Sequence, residues 1–476
     1  TAVIPYGFEL TIRGNMNRNF QRGTQYQNNI LGDAYPDGRL QVTNSQYRYH
    51  TFMQNLTWNH AYGADQEHRF DLLLGHENTT AYSVNDGIAM TGQVEDGYYA
   101  VGNFQNIVSL PTGSYGEARV ESYLGRIRYN YYDKYFLEAS LRRDGTDRLS
   151  KNNRWGTFWS VGGSWIISKE KFMHSIDWVN YLKLRFAYGS VGNYLSIPAL
   201  SYTSLYGVGT ILSNTPMAVR STIGNPDLKW EAQRTLDLGL EGALFGNRLN
   251  FSIGYFDKRS DDLLFNVPTA PSQGYQIGSG DSMTRPENLG AVTNRGWEIS
   301  FNGTIMSNED FHWTANLDMT FMQNKILSLP DGNIDMANGV QRLSVGRSMY
   351  SWYMPEFFGV DQMTGKSLYS FEESEYRYRY KDTYEGEEMD KMWKKNVENA
   401  KNAGALVEIN GKTYSTQSAY ATDGWHGSAI PTVFGSFGTQ FSWKGINLGL
   451  LFTYSLGGKV YDSAYSNLMS VNDLKS

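Results

Sequence analysis

The sequence contains no cysteine, which excludes a disulfide framework and any thiolate metal site. Proline is scarce, 12 residues in 476, so few positions interrupt a backbone ladder. No apolar run approaches the roughly 18 residues that a membrane helix needs. The net charge of −6 comes without a polybasic block, which removes the electrostatic footprint of nucleic-acid binding. The histidines (His50, His60, His68, His76, His174, His312, His426) show no HExxH spacing, and His60 with His68 straddles a turn without an obvious third ligand. There is no G-x-S-x-G elbow and no phosphate-cradling glycine loop. No cofactor, metal site or catalytic machinery is expected. The opening residues, Thr1 to Pro5, lack the basic segment and apolar core of a signal peptide, so the chain reads as a mature one or as a piece of something longer.

What is present is aromatic and alternating. The chain holds 34 Tyr, 23 Phe, 12 Trp and 49 Gly, a composition that favours strands and tight turns. Tyr123, Gly125, Ile127, Tyr129 and Tyr131 fall on one parity, and Leu124, Arg126, Arg128 and Asn130 on the other. That is the period of a strand with one apolar and one polar face. A break at Asp133-Lys134 is followed by Leu137, Ala139 and Leu141 against Glu138, Ser140 and Arg142, which predicts an antiparallel hairpin with tyrosines at its turn. Tyrosines so placed suit a membrane–water boundary. The same alternation recurs in Glu231–Leu244, where Leu238 is read as lipid-facing and Asp237 as lumen-facing.

Short turns and long loops alternate along the chain. The long polar segments lie at about 82–118, 191–230, 259–290 and 326–429; only one possible strand, Phe8–Asn19, is read before residue 47, and a short amphipathic helix is expected over Lys169–Asn180. In an up-and-down meander every short turn falls at one end and every long loop at the other. The fold class predicted is therefore all-β, a transmembrane antiparallel up-and-down β-barrel, with about fourteen strands of ~10 residues. A barrel of that size has a lumen too wide for side chains to fill, so it is a channel or it is plugged. On this parity Arg126, Arg128, Arg142 and Arg143 face the lumen, where pairing with Glu121, Glu138 or a plug outweighs gripping a substrate. A soluble glycan-binding β protein would contradict the lipid-facing stripe, and a barrel enzyme would need a nucleophile or a carboxylate pair at recognisable spacing.

Several motifs carry a resemblance. Tyr123–Tyr129, Tyr135–Gly145 and Asn152-Asn153-Arg154-Trp155-Gly156 are followed by Leu182-Lys183-Leu184-Arg185, Gly192-Asn193 and Asn225-Pro226-Asp227-Leu228-Lys229-Trp230-Glu231. Then come Asn294-Arg295-Gly296-Trp297-Glu298, Gly359-Val360-Asp361 with Thr364-Gly365, and Tyr454-Ser455-Leu456-Gly457-Gly458-Lys459. In this order the chain resembles the barrel of the SusC/RagA-type TonB-dependent transporters of Bacteroidota. The resemblance implies a plugged outer-membrane barrel of about 22 strands, powered by a TonB–ExbB–ExbD complex and closed by a SusD-like surface lipoprotein. It also implies a possible pairing of two such assemblies and import of an oligosaccharide or, alternatively, an oligopeptide. No plug-like domain, TonB box or final aromatic strand is found in the sequence, so residues 1–476 are expected to be a barrel segment of a longer transporter.

Within the longest loop, Tyr350–Phe358 is rich in aromatics. Sugar rings stack on exposed aromatics while carboxylates take the hydroxyls, which makes Trp352, Tyr353 and Asp361 the candidate substrate-facing residues. Trp425 and His426, just before the last hairpin, join them. The plain alternative for all five is packing of the loop on itself. Asn225-Pro226-Asp227 reads first as a loop exit, Asp144-Gly145 and Gly457-Gly458 as turns, and the acidic run Glu385–Asp390 as a solvated surface.

Overall fold

The computed structural model describes residues 2–211, 215–268, 284–330, 336–372 and 386–464. They fall into two compact units. The first comprises Thr1–Trp165, Ala187–Gln233 and Leu264–Asn288. Its strands β1 (Ala2–Ile4), β2 (Phe8–Gln27), β3 (Arg39–Tyr62), β4 (His68–Gln93), β5 (Phe104–Tyr131), β6 (Tyr135–Thr146) and β7 (Trp155–Ile166) are antiparallel neighbours in chain order. The hairpin between β5 and β6 forms as predicted, with a turn of three residues rather than two. Tyr132 and Asp133 take positive φ, and Asn130 supports them by accepting from the Asp133 amide at 2.9 Å.

Register stacks like residues across the strands. Tyr62, His68, Tyr131, Tyr135 and Trp165 stand opposite one another in turn, with ring centroids of 4.8 Å for His68–Tyr131, 6.2 Å for Tyr131–Tyr135 and 6.4 Å for Tyr135–Trp165. Eight residues up β5, Tyr123 packs near Trp155, with centroids 6.1 Å apart. Eight residues span ~26 Å along a strand, or about 20 Å across a sheet tilted by ~40°. Between the two aromatic rows the same face exposes Leu74 (63%), Leu137 (59%) and Leu141 (57%). An apolar band with an aromatic row at each edge is the outer surface of a membrane barrel.

Arg126 and Arg128 occupy the opposite face, and each has a carboxylate: Asp71 at 3.0 Å and Glu138 at 2.6 Å. Arg142 is held by Asp144 at 2.7 Å and donates to Ser122 at 3.0 Å. Arg143 is not on this face. Adjacent strand residues point to opposite sides. Arg143 stands opposite Tyr123 in the ladder, with its guanidinium carbon 5.6 Å from the centre of the Trp155 ring. Glu121 shares that outer face and accepts from Tyr123 at 2.7 Å rather than pairing with an arginine.

The expected irregular stretch at 82–118 is mostly strand. β4 runs on to Gln93 and β5 begins at Phe104, leaving a short connection. β2 likewise extends past the expected Asn19 to Gln27. These extensions carry polar residues on both faces, so hydropathy does not betray them, but the ladder continues to satisfy the backbone. At their far end Leu40, Val42, Met90 and Phe104 form a small buried cluster that holds the strand tops together.

The second unit comprises Ile166–Phe186, Arg234–Leu263 and Leu289–Ser476. Two strands, β8 (Val179–Asn193) and β9 (Glu231–Leu244), are divided between the units. The second unit continues with β10 (Leu249–Asp261), β11 (Ala291–Ser307), β12 (Phe311–Ser328), β13 (Val433–Trp443) and β14 (Ile446–Leu456), again antiparallel in chain order. Among the described residues the ladder strands thus number fourteen. Instead of the expected helix, Lys169–Asn180 forms 3-10 turns at Ile167–Lys169 and Lys171–Met173. A segment this short gains too few bonds to offset α-helix nucleation.

The segment 326–429 is not the irregular region expected. It contains a small sheet of Met336–Asn338, Gln341–Leu343, Ser351–Pro355 and Asp423–Ser428. A second small sheet is built from Phe357–Val360, Ser367–Ser370, Leu406–Ile409 and Lys412–Ser415, and a helix spans Gly386–Asn402. The acidic run enters that helix, its first residue, Glu385, lying outside the described residues, as do 269–283 of the expected 259–290 loop.

Candidate substrate-facing site

Two knots of motif residues brace the loops. In the first unit Trp230 donates its indole N–H to the Arg154 carbonyl at 3.0 Å, and Ser150 and Asn153 donate to the Pro226 carbonyl at 2.7 and 3.3 Å. Asn193 donates to Glu231 at 2.8 Å, and Glu231 in turn accepts from the Leu264 amide at 2.8 Å. Leu149, Phe158, Ile197, Leu228 and Trp230 pack beneath as one buried cluster. The Asn225-Pro226-Asp227 turn is therefore a structural exit, its Asn225 amide nitrogen donating to the Pro286 carbonyl at 2.9 Å.

In the second unit a polar chain links Asn324 to Asn294 at 2.7 Å, Ser348 to Asn324 at 3.2 Å and Ser428 to Ser348 at 2.9 Å. This chain, with the Met349 amide donating to Asn324 at 2.8 Å, fixes where the strand Ser351–Pro355 begins. Ser351 then pairs with Ser428 and Tyr353 with Trp425, and the sequence-predicted aromatics come together.

Alternation divides them between two faces of this small sheet. Tyr353 and Trp425 pack with ring centroids 4.8 Å apart. Arg342 lies 5.1 Å from the Tyr353 ring centre and Arg347 4.0 Å from that of Trp425. Tyr353 is only 8% exposed, so its ring serves the packing of this layer. On the other face, Trp352, Met354, His426, Lys459, Val460 and Tyr461 line a pocket of about 260 Å³. Trp352 donates to the Lys459 carbonyl at 3.0 Å and His426 donates from Nε2 to the Met354 carbonyl at 2.9 Å, so both rings are oriented while their flanks line the pocket. Trp352 and Tyr461 lie 6.1 Å apart.

Asp361 is not among them. It sits in the turn between Phe357–Val360 and Ser367–Ser370, accepting from Thr364 Oγ1 at 2.5 Å and the Met363 amide at 3.1 Å. Those donors, the Thr364 hydroxyl first, hold its carboxyl below the usual carboxylate range. Sequence reading passed over Arg342, Arg347, Lys459 and Tyr461. The Gly457-Gly458-Lys459 motif was the available signal, since the Lys459 amide donates to the Ser428 carbonyl at 2.8 Å and so returns the chain to this sheet.

An antiparallel ladder with a lipid-facing apolar band between two aromatic rows defines the class, a β-barrel of the outer membrane. The chain belongs to the family described as TonB dependent receptor-like, beta-barrel, whose model matches residues 4–468. It is 29% identical over 357 residues to TonB-dependent receptor P39 of Formosa agariphila, covering 72% of this chain and 33% of that protein. It is 30% identical over 218 residues to TonB-dependent receptor SusC of Bacteroides thetaiotaomicron, covering 44% of this chain and 21% of that one. In fold it is similar to the solved RagAB peptide transporter, with a TM-score of 0.77 at 24% identity over 96% of this chain and 46% of that chain. The chain thus spans about a third of the length of the curated relatives it matches over most of its own length. It is a TonB-dependent-receptor-like barrel of the outer membrane, similar to SusC in sequence and to the RagAB transporter in fold.

Proposed function

We propose that this barrel belongs to a TonB-dependent importer that carries a bulky oligosaccharide across the outer membrane together with a SusD-like lipoprotein. The observation that carries the reading is the pocket of Trp352, His426, Lys459 and Tyr461 in a membrane barrel of this family. Flat aromatic walls accept the C–H faces of a sugar ring, and imidazole and ammonium groups take its hydroxyls. The lipoprotein would close over the long-loop end, and TonB–ExbB–ExbD would power release through the plug-bearing part of the whole transporter. Two such pairs would form the complete assembly. The family is one of transporters, and no catalytic constellation is invoked.

A second reading is an oligopeptide cargo. It is favoured by the likeness to a structure titled as a peptide transporter and by the exposed guanidinium of Arg347 on the neighbouring face, a chemistry suited to carboxylates. The test is native purification of the full-length protein from outer membranes in mild detergent, with mass spectrometry of what accompanies it. A stoichiometric lipoprotein with bound oligosaccharide is expected. Bound peptide would select the second reading, and a lone barrel without partner or ligand would overturn both.

A further inference from the structure

The outer face of the first unit carries a depression that the transport reading does not use. It is an apolar groove of about 420 Å³ whose lining includes Phe8, Trp58, Leu74, Gly125, Ile127 and Leu141. Gly125 makes the groove. Its backbone has no positive φ, so the position does not require glycine for conformation. A Cβ there would meet Leu74 Cδ2 at 3.6 Å, an ordinary contact. What the glycine provides is a missing side chain between Leu74 and Leu141, its partners across the two ladders.

One row further toward the long loops, the groove runs into the second aromatic row. Tyr123 follows from Gly125, Arg143 from Leu141, and His76 from Leu74, and these three stand opposite one another. Arg143 lies against Trp155 and has no carboxylate partner among the described residues. The neighbouring Glu121 is engaged by His76 at 3.3 Å and by Tyr123 at 2.7 Å. A cation held on an aromatic ring at the edge of the apolar band, directly above an apolar groove, has the charge order of an anionic amphiphile.

We propose that this groove holds an acyl chain of a phosphorylated outer-leaflet lipid whose phosphate is received by Arg143. The face is continuous with the lipid-facing band, so the occupant is already the surrounding solvent of the protein; the groove and the arginine select one lipid from it. Arg143, exposed beside Trp155 at the edge of the apolar band, supplies a charge-assisted donor pair for the phosphate. The inference rests on membrane placement alone and is independent of the cargo.

The full-length protein, purified in mild detergent and stripped of lipid, is titrated with bisphosphorylated lipid A and followed by native mass spectrometry. One retained lipid per barrel is expected, with affinity lowered about tenfold by Arg143→Gln, the loss of one charged hydrogen-bonding partner. Gly125→Leu, which fills the groove, is expected to lower it by a similar factor. Arg143→Lys, which keeps the charge but loses the paired donors, is expected to bind with an affinity between those of wild type and the Gln variant, and dephosphorylated lipid A to bind about as weakly as the Gln variant. Both variants should keep the heat-dependent electrophoretic shift of a folded barrel. Equal binding by wild type, Arg143→Gln and Gly125→Leu would overturn the proposal, as would adducts of detergent only or indifference to the phosphates.

Discussion

Trp230 donates its indole N–H to the backbone carbonyl of Arg154 at 3.0 Å, tying the start of β9 to the start of β7. The bond explains why two motifs 76 positions apart in the chain travel together. Both ends of the loop system are pinned before any ligand arrives. Removing the ring by Trp230→Ala empties the buried cluster and is expected to cost about 3–5 kcal/mol. Trp230→Phe, which deletes mainly the hydrogen bond, should cost ~1 kcal/mol. Unfolding in denaturant, followed by intrinsic fluorescence in detergent, measures both; equal costs would refute the division of labour.

Leu238 and Asp237 separate the two faces of β9. Leu238 is exposed, while Asp237 accepts from Arg185 at 2.8 Å. Leu238→Arg should impair membrane assembly by about 2–4 kcal/mol if it lies near mid-bilayer. Asp237→Arg is not a silent control for the lumen face, because a second arginine would face Arg185. Asp237→Asn is the milder control. Folding yield into lipid vesicles distinguishes them, and equal loss for Leu238→Arg and Asp237→Asn would reverse the assignment of faces.

Gly296 lies where β11 crosses the Phe321 carbonyl. A Cβ there would collide with that backbone oxygen, and Phe256 closes the other side at 3.0 Å. Gly296→Ala should therefore destabilise by about 1–3 kcal/mol through overpacking, whereas Gly125→Ala should be nearly neutral. Thermal scans of the two variants check the contrast.

The carboxyl of Asp361 has a lowered pKa because Thr364 and the Met363 amide donate to its charged form. A depressed folded value means that the turn is stabilised above the unfolded carboxyl value of ~3.9, and that this support fades as pH falls through the lower folded value. Thr364→Val should raise the Asp361 pKa toward the ordinary value. A carboxyl-carbon NMR titration of this residue reads the change directly, and an unmoved midpoint would remove the hydroxyl as the cause.

Trp352 and Tyr353 are neighbours with opposite expectations. Trp352→Ala should reduce cargo binding by about 1–3 kcal/mol, the scale of one lost aromatic platform, with folding intact. Tyr353→Ala should loosen the loop sheet and lower stability. Calorimetric titration with the cargo found by native purification, paired with melting curves, separates the two.

What could be read without coordinates was the strand parity and the short turns. Tyr131, Leu137 and Leu141 announce themselves because lipid demands apolar side chains on one face. The upper halves of β4 and β5 were hidden for the complementary reason: in water a ladder needs only its backbone bonds, and Thr80, Ser83, Asn85 and Glu117 look like loop. Arg143 belongs to the outer face with Tyr123 because two adjacent strand residues cannot share a face, a distinction that charge alone does not carry. The pairing of Tyr353 with Trp425 spans most of the longest loop, and no local period encodes it; contacts distant in sequence, among them the Asn294–Asn324–Ser348–Ser428 chain and the Ala429 amide on the Tyr350 carbonyl, set that register.

The tall strands β3 and β4 match residue for residue from Arg39 opposite Thr91 to Tyr62 opposite His68. A loop can gain or lose a residue freely, but this wall cannot. A single insertion in one strand would turn every later side chain to the wrong face, so the height of the rim can change over evolution only by matched additions on neighbouring strands. The break in register between β4 and β5 at Gly87–Met90 is the kind of bulge where an unmatched residue is absorbed.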